Sequence, residues 1–299
     1  MNFLNVVNLD ELPENIKFTP RTIVVTEKPD VAREVSKKRL PVILRVDSVP
    51  SKYDDFVLPV RKDMSIESVL EKLNKMFVVV PAYNEERVIG KVLDVLLRYF
   101  SGRQIIVVND GSTDRTEEIA IRKGVTVVSH KKNIGLGGAL RTGINFALEN
   151  GAEVIATFDG DGQHRMEDLF RVVVPILNNE ADFSYGNRIR NALGKMPIVK
   201  LIGNVGLDII TFFFSRRKFV VDTQSGLRVF SRKCAENVKI TREKYAVSSE
   251  IIIEVVKKGF RIKGVPIEPL YDEYTKNKGT NVKAGFIILR DLILRSLGH

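Results

Sequence analysis

Several features that mark secreted or membrane-spanning proteins are missing from this sequence. Cys234 is the sole cysteine, so no intramolecular disulfide can form, which suits a reducing compartment. Residues 1–15 include acidic groups and lack a basic segment ahead of a long apolar core, so no secretory signal is expected. The longest apolar runs, such as 209–214, fall far short of the roughly 18 residues that a membrane-spanning helix needs. We therefore expect a cytoplasmic protein without a transmembrane helix.

Length, composition and charge describe a globular chain with a basic bias. The 299 residues correspond to roughly two domains at about 150 residues each. Hydrophobic residues make up 44% and charged residues 28%, which excludes a disordered tail. The net charge of +10 is concentrated in residues 186–299, which hold 22 basic and 10 acidic side chains. This distribution favours an anionic partner, such as a phosphorylated substrate, a lipid headgroup or nucleic acid.

Residues 1–75 are predicted to form a small α/β accessory region of unknown role. The hydrophobic pattern predicts strands at 22–26 and 40–46, with a helix at 29–38 between them. Ser65 is a favourable N-cap for a further helix that runs to residue 75. The region contains no chemical motif, and we place the domain boundary after it.

A strand, loop and helix pattern repeats from Met76 onward and predicts the main domain, residues 76–275. The predicted strands are 77–80, 104–108, 125–129 and 154–158, and the predicted helices are 86–99, 114–123 and 137–150. This alternation is typical of a parallel sheet covered on both faces. Polar, turn-forming loops follow the strands at 81–86, 109–114, 131–138 and 159–164. Because ligands bind beyond the carboxyl ends of such strands, we expect these loops to line a ligand cleft.

Two carboxylates one residue apart, Asp159 and Asp161, end the fourth predicted strand. Side chains alternate faces along a strand, so both carboxylates reach one cation only if the backbone turns, which Gly160 and Gly162 permit. Hard oxygen ligands, with Gln163 nearby, suit Mg²⁺ or Mn²⁺ bridging a diphosphate, and no cluster of Cys or His supports a structural zinc. The alternative is an Asp-Gly turn with solvated carboxylates. The four aligned loops favour the metal site.

Asp110 follows another apolar strand and is a second candidate ligand-binding carboxylate. At that position it can accept hydrogen bonds from ribose hydroxyls or from the N–H edge of a base. The alternative role is helix capping near Ser112 and Asp114. The glycines at 135, 137 and 138 have the spacing of neither a dinucleotide fingerprint nor a P-loop.

Four motifs, in this order and spacing, resemble those of glycosyltransferase family 2. They are residues 79–85 (VVPAYNE), residues 107–114 (VVNDGSTD), Asn133 with the glycines after it, and residues 159–164 (DGDGQH). Residues 186–188 (GNR) and 222–228 (DTQSGLR) are similar to segments of the polyprenyl-phosphate glycosyltransferases, typified by dolichol-phosphate mannose synthase. The resemblance covers about residues 76–283. It implies an α/β, Rossmann-like GT-A fold, to which residues 1–75 add a small N-terminal α/β extension.

The resemblance also implies an inverting, metal-dependent transfer from a nucleoside-diphosphate sugar. The implied nucleotide-binding residues are Pro81, Tyr83, Glu85, Asp110, Asp159 and Gly160. Asp159, Asp161 and Gln163 would hold Mg²⁺ or Mn²⁺ with the diphosphate, and the implied catalytic residues are Asp161, Arg188 and Glu250. Arg188 would bind the diphosphate or the acceptor phosphate, because a guanidinium fork matches phosphate oxygens. The alternative for Arg188 is an ordinary surface arginine.

The implied acceptor-binding residues, besides Arg188, are Ser225, Arg228, Lys276 and Lys283. As an alternative, Ser225 and Arg228 belong to a turn that leads into a strand. Glu250 is either a general base or a carboxylate at a helix N-terminus. Relatives carry an arginine in the loop where this chain has Lys276 and Lys283, and a lysine supplies charge there but no bidentate fork.

Two apolar segments with basic neighbours, 203–218 and 285–297, suggest contact with a membrane. Such segments lie in a bilayer interface with basic groups on anionic headgroups, or they pack as core helices of a soluble domain. Residues 276–299 are expected to form a basic loop and an amphipathic C-terminal helix. We expect a peripheral location on the cytoplasmic membrane face, with a membrane-anchoring partner protein or a homo-oligomer left open.

These features lead to one main hypothesis and two alternatives. The main hypothesis is transfer of a hexose from a GDP- or UDP-sugar to a polyprenyl (dolichyl) phosphate. The first alternative is the same family acting on a soluble sugar or protein, which requires a general base such as Glu250. The second is a non-catalytic module that binds a nucleoside-diphosphate sugar or nucleic acid. The absence of nucleic-acid motifs and the complete Asp159/Asp161 pair argue against the second alternative.

Overall fold

The computed structural model describes residues 5–9, 22–50, 52–188, 220, 222–241 and 247–268. These residues form two β-sheets with helices packed on their faces. The predicted α/β class is confirmed. Lys276, Lys283 and the apolar segments 203–218 and 285–297 lie outside the described residues. Within the described part of the chain, no helix combines the length and apolar character needed to cross a membrane.

The N-terminal sheet has four parallel strands in the order β1-β2-β3-β4. Its strands are β1 (Asn5–Asn8), β2 (Thr22–Thr26), β3 (Val42–Val46) and β4 (Val57–Arg61), and its helices are α1 (Pro29–Lys37) and α2 (Ile66–Asn74). The sheet forms because its strands are rich in valine and isoleucine, which are buried against helices. Ser65 accepts the backbone N–H of Ser68 at 3.3 Å, so its predicted capping role is confirmed.

The second sheet has seven strands in the order β11-β9-β10-β8-β5-β6-β7. Its strands are β5 (Met76–Ala82), β6 (Ile105–Asn109), β7 (Thr126–Ser129), β8 (Val154–Thr157), β9 (Phe183–Asn187), β10 (Arg228–Ser231) and β11 (Ile262–Pro266). The four predicted strands are mutually parallel, as expected, whereas β10 runs antiparallel to both of its neighbours. Their carboxyl ends therefore meet at one rim, where the polar loops follow.

Helices cover both faces of the seven-stranded sheet. They are α3 (Ile89–Leu97), α4 (Thr116–Arg122), α5 (Leu136–Glu149), α6 (Met166–Leu177), α7 (Arg232–Asn237) and α8 (Val247–Lys257). One hydrophobic cluster joins α5, α7 and α8 to one face. Another cluster joins α3 and α6 to the opposite face and also includes Leu58 and Val60 of the N-terminal sheet. This second cluster thus joins the two sheets through α6.

Several predicted boundaries differ from the structure by one to three residues, and the start of α3 differs most among the predicted helix starts. We expected a helix from residue 86, but α3 begins at Ile89. The backbone N–H of Glu85 donates to Thr116 Oγ1 (2.7 Å) and that of Glu86 donates to Asp114 Oδ2 (3.1 Å). These side chains hold residues 85–86 as part of the loop, so the helix starts one turn later.

Candidate active site

The loops after β5 and β6 are joined to each other by hydrogen bonds. Asn84 adopts a left-handed conformation (φ 55°), its N–H donates to Ser112 Oγ (3.0 Å), and its Oδ1 accepts the N–H of Thr113 (2.9 Å). Tyr83, which is 45% exposed, lies between the buried end of β5 and this joined loop. The pairing fixes the segment that contains Pro81, Tyr83 and Glu85, the predicted nucleotide-binding residues.

Asp110 holds a third loop in place. It is buried, and its carboxylate accepts the backbone N–H groups of Ile134 (3.0 Å) and Gly135 (2.8 Å), just before α5 begins. Helix capping was the alternative role for both Asp110 and Asp114, and it is Asp114 that accepts the N–H of Thr116 at the start of α4 (2.9 Å). Asp110 therefore organises the glycine-containing loop, and its contact with a base or ribose stays a prediction.

Sequence reasoning did not identify His130, which contacts Asp110 from the end of β7. Its Nδ1 lies 2.7 Å from Asp110 Oδ1, and its Nε2 lies 3.0 Å from Thr142 Oγ1 on α5. A carboxylate only accepts, so in the neutral ring Nδ1 carries the proton and Nε2 accepts from the threonine hydroxyl. The signal available in the sequence was a histidine placed at the carboxyl end of a predicted strand.

Asp159 and Asp161 lie in the turn after β8 and have opposite electrostatic environments. Partial burial disfavours ionisation of Asp159, but its hydrogen bond to His164 Nε2 (3.1 Å) and the charges of His164, Arg228 and Arg188 lower its pKa. Burial and the neighbouring charge of Asp159 raise the pKa of Asp161 to about 6, and Glu85 contributes in the same direction. The predicted carboxylate pair and Glu85 are thus close enough to interact.

This carboxylate pair fits a divalent cation bound together with a diphosphate. The two negative charges repel each other in a partly buried turn, and a cation between them removes that repulsion. Carboxylate oxygens are the ligands that Mg²⁺ and Mn²⁺ prefer. Among the described residues, no group of three His, Cys, Asp or Glu side chains forms a protein-only metal site. Gln163 takes part in the turn by donating its N–H to Asp161 Oδ1 (3.0 Å), and its metal role stays a prediction.

The segment 222–228 packs directly on Asp159. A Cβ atom built on Gly226 would lie 1.9 Å from Asp159 Oδ2, so a side chain at this position would displace the Asp159 carboxylate or the segment itself. The hydroxyl of Thr157, at the end of β8, donates to the Gly226 carbonyl (2.6 Å). Ser225 is 1% exposed, and its Oγ has no hydrogen-bond partner among the described residues. The predicted acceptor segment and the predicted metal carboxylates therefore form one site.

Arg188 and Arg228 bring positive charge to the same site. Arg188 donates from Nε (2.9 Å) and NH2 (2.7 Å) to the two carboxylate oxygens of buried Asp222. Arg228 is 1% exposed, and its NH2 donates to Ser248 Oγ on α8 (2.8 Å). Burial lowers the pKa of Arg228 to about 10, against the opposing charge of Asp159. Sequence reasoning found both arginines but not the bidentate pairing of Arg188 with Asp222.

Glu250 lies in the first turn of α8 and is 1% exposed. Its carboxylate accepts the backbone N–H of Thr241 (3.1 Å) and the hydroxyl of Thr241 (2.5 Å). This geometry supports the alternative stated above, a carboxylate that stabilises a helix N-terminus and a neighbouring loop. Its action as a general base stays a prediction.

The sequence matches the family model "Glycosyl transferase family 2" over residues 77–238, more than half of the chain. An uncharacterized protein of Methanocaldococcus jannaschii is 46% identical over 77% of this chain and 96% of its own length. The UDP-N-acetylglucosamine–dolichyl-phosphate N-acetylglucosaminyltransferase of Methanococcus voltae is 36% identical, over 75% of this chain and 96% of its own length. A dolichyl-phosphate hexose transferase of Haloferax volcanii is 33% identical, over 64% of this chain and 80% of its own.

Solved structures show the same fold. Glucosyl-3-phosphoglycerate synthase from Mycobacterium tuberculosis, crystallised with Mn²⁺, UDP-glucose and phosphoglyceric acid, superposes with a TM-score of 0.60. The two proteins are 19% identical in sequence, and the superposition covers 79% of this chain and 85% of the synthase. The predicted GT-A-like, Rossmann-like fold is confirmed. The chain belongs to glycosyl transferase family 2.

Proposed function

We propose that this glycosyltransferase moves a sugar from a nucleoside-diphosphate donor to a polyprenyl phosphate, with inversion at the anomeric carbon. The observation that supports the proposal is the proximity of Gly226 to Asp159, through which the segment 222–228, predicted to bind the acceptor, lies against the carboxylates predicted to bind the metal. Two relatives that are 36% and 33% identical over the aligned residues are named for transfer to dolichyl phosphate. The similarity to the Methanococcus voltae enzyme extends over nearly all of that relative's length.

For the donor we propose a UDP-sugar, with UDP-N-acetylglucosamine as the first candidate. One relative is named for that donor, and structural neighbours were crystallised with UDP or UDP-glucose. The joined loops after β5 and β6 present the exposed ring of Tyr83, and Asp110 fixes the adjoining loop. These groups form the nucleotide subsite, and a GDP-sugar is the alternative donor.

In this proposal Asp159 and Asp161, with Gln163 beside them, would hold Mg²⁺ or Mn²⁺ together with the diphosphate. The cation would supply positive charge that stabilises the departing nucleoside diphosphate. His164 keeps Asp159 ionised and oriented through its hydrogen bond at 3.1 Å. Because Gly160 has no side chain, the turn can lie close to the end of β5. A Cβ atom at this position would lie 3.1 Å from the Pro81 carbonyl oxygen.

The acceptor phosphate is placed by Arg188, Arg228 and Ser225. A phosphate monoester is already ionised near neutral pH, so its oxygen attacks the anomeric carbon without a strong base. The new carbon–oxygen bond forms on the face opposite the leaving diphosphate, whose bond to the same carbon breaks, and the configuration inverts. The Glu250 carboxylate already accepts two hydrogen bonds from Thr241, which agrees with a reaction that does not require this carboxylate as a base.

We also propose that the protein works at the cytoplasmic face of a membrane. The support is the charge of residues 186–299, with 22 basic and 10 acidic side chains, and the lipid acceptor itself. Basic side chains near an anionic leaflet attract a peripheral protein by electrostatics that salt weakens. Flotation with anionic vesicles at low salt, lost at high salt, is the expected result.

The direct test is nucleoside diphosphate release from a panel of UDP- and GDP-sugars, with Mg²⁺ or Mn²⁺, in the presence and absence of polyprenyl phosphate. We expect acceptor-dependent release with one UDP-sugar and a loss of about 100-fold or more in Asp161→Asn. Asp94→Asn is the matched control, because Asp94 forms an exposed pair with Lys123. Equal release by Asp161→Asn, or no release with any donor, contradicts the proposal.

A further inference from the structure

Helix α6 connects the predicted metal turn to the N-terminal sheet. It begins at Met166, directly after Asp159 to Arg165, and eleven of its twelve residues are buried. A helix buried on nearly all sides must be covered by two partners. One partner is the seven-stranded sheet, and the other is the N-terminal sheet, whose strand β4 lies against α6.

The C-terminal end of α6 is fixed by hydrogen bonds to β4. Asn178, which is fully buried, donates from Nδ2 to the Pro59 carbonyl (2.9 Å) and accepts the Arg61 N–H on Oδ1 (2.8 Å). The Asn178 side chain thus forms hydrogen bonds with one backbone carbonyl and one backbone N–H group of β4. The helix therefore cannot slide along the N-terminal sheet without losing them.

The middle of α6 is fixed by packing. Phe170 contacts the rings of Phe56 and Tyr99, with centroid distances of 5.7 and 5.4 Å, and Phe56 and Tyr99 are themselves stacked at 5.7 Å. The Tyr99 hydroxyl donates to the Arg39 carbonyl (3.0 Å). Aromatic groups from both parts of the chain thus form one cluster beside the helix.

The N-terminal end of α6 is held by charge. Asp55 accepts from NH2 of Arg171 (2.6 Å) and lies 3.4 Å from NH2 of Arg165, and Arg39 donates to Glu167 (2.8 Å). Arg165 directly follows His164, whose ring nitrogen contacts Asp159. A short chain of contacts therefore leads from the N-terminal sheet to a predicted metal ligand.

We infer that Asp55 is a positioning residue, which holds the Asp159–His164 turn through Arg165 and thereby gives residues 1–75 a role in the reaction. The part of the inference that concerns Mn²⁺ affinity rests on the proposed function. Asp55 and Arg165 are 41% and 27% exposed, so their pairing contributes little to global stability, and its effect is local. Groups that orient a metal ligand change metal affinity by about 10–100-fold, and a more distant group such as Asp55 changes it less.

The test compares Asp55→Asn with the matched control Asp54→Asn in the full-length protein. Asp54 is the adjacent residue, and its exposed carboxylate pairs with Arg33, 3.2 Å away. Two quantities are measured: calorimetric Mn²⁺ affinity in the presence of UDP, and hydrogen exchange of the amides in 159–165. We expect about 3–10-fold weaker Mn²⁺ binding and faster exchange in Asp55→Asn, no change in Asp54→Asn, and recovery in Asp55→Glu.

Unchanged exchange at 159–165 in Asp55→Asn overturns the inference, as does the same change in Asp54→Asn. If Asp55→Asn does not fold, Arg165→Gln removes the contact from the other side, together with the longer pairs of Arg165 with Glu167 (3.7 Å) and Glu268 (3.6 Å), and the expected direction is the same. Failure of the proposed function is a different result, in which the wild-type protein binds no Mn²⁺ with UDP. The exchange comparison remains decisive in that case, because it needs neither metal nor turnover.

Discussion

Individual carboxylates around the site differ because their surroundings differ. The Asp110 carboxylate forms hydrogen bonds with a backbone amide and with His130. The pKa of Asp159 is lowered by His164 and nearby arginines, whereas the pKa of Asp161 is raised to about 6. The sequence predicted which of these residues are present at the rim of the sheet. It did not indicate these differences, because each depends on a partner that the fold brings from elsewhere in the chain.

Replacing His130 is expected to weaken donor binding without affecting the chemical step. His130→Phe keeps a ring but removes the hydrogen bond to Asp110 Oδ1, so the loop before α5 is held less firmly. We expect KM for the donor to rise about 5–10-fold, with kcat within about twofold. Thr142→Val removes the hydrogen bond between the threonine hydroxyl and Nε2 of His130 but keeps the bond to Asp110, so it should raise KM less. A fall in kcat at unchanged KM contradicts this account.

Asp168 on α6 predicts a pH dependence of stability. Burial raises its pKa to about 6, and its Oδ2 has no hydrogen-bond partner among the described residues. The folded protein thus retains this proton at a pH where the unfolded chain has lost it. The contribution of Asp168 to stability is therefore lost as the pH rises from about 4 to above 6.

Urea unfolding of wild type and Asp168→Asn at pH 5 and pH 7.5 measures this effect. The asparagine cannot ionise. Between pH 5 and pH 7.5 the free energy of unfolding of the variant should therefore rise by about 1–2 kcal/mol relative to that of wild type. Other titrating groups are common to both proteins and cancel in the difference. A double difference of zero would show that folding leaves the pKa of Asp168 unchanged, and one of opposite sign would show that folding lowers it; either result contradicts this prediction.

At the scale of elements, local patterns predicted the parallel strands β5 to β8 and their loops, because apolar runs and polar turns alternate there. They did not predict β4, which contains Pro59, or the nearly complete burial of α6 between two sheets. The contact between Thr157 and Gly226 joins residues 69 positions apart, and no local pattern encodes it. The candidate site was therefore predicted as a set of loops but not as a set of contacts.

The segment 222–228 should be intolerant of a side chain at Gly226. In Gly226→Ala the new methyl group collides with the Asp159 carboxylate, so either the acceptor segment or the metal ligand must move. A displacement of about 1 Å costs roughly 100-fold in rate, which is the loss we expect in kcat/KM. Gly90→Ala is the matched control, since its Cβ meets only ordinary contact at 3.4 Å. Near-normal activity of Gly226→Ala contradicts the proposed site.

At the scale of the whole molecule, one hydrophobic cluster joins the two sheets through α6, and the candidate site lies at one end of that helix. The separate role of residues 1–75 was not predictable from their sequence, because they contain no chemical motif. Their contribution arises from contacts with α6 that depend on the complete fold. The charge of the last third of the chain, by contrast, was visible in the composition alone.

The central claim is that a polyprenyl phosphate accepts the sugar through its phosphate. The most direct measurement is mass-spectrometric detection of product from polyprenyl phosphate and from the polyprenol of the same chain length, under identical donor and metal conditions. We predict a glycosyl polyprenyl phosphate from the first acceptor and no product from the second. Equal transfer to the polyprenol, or transfer to a soluble sugar alone, would contradict the account.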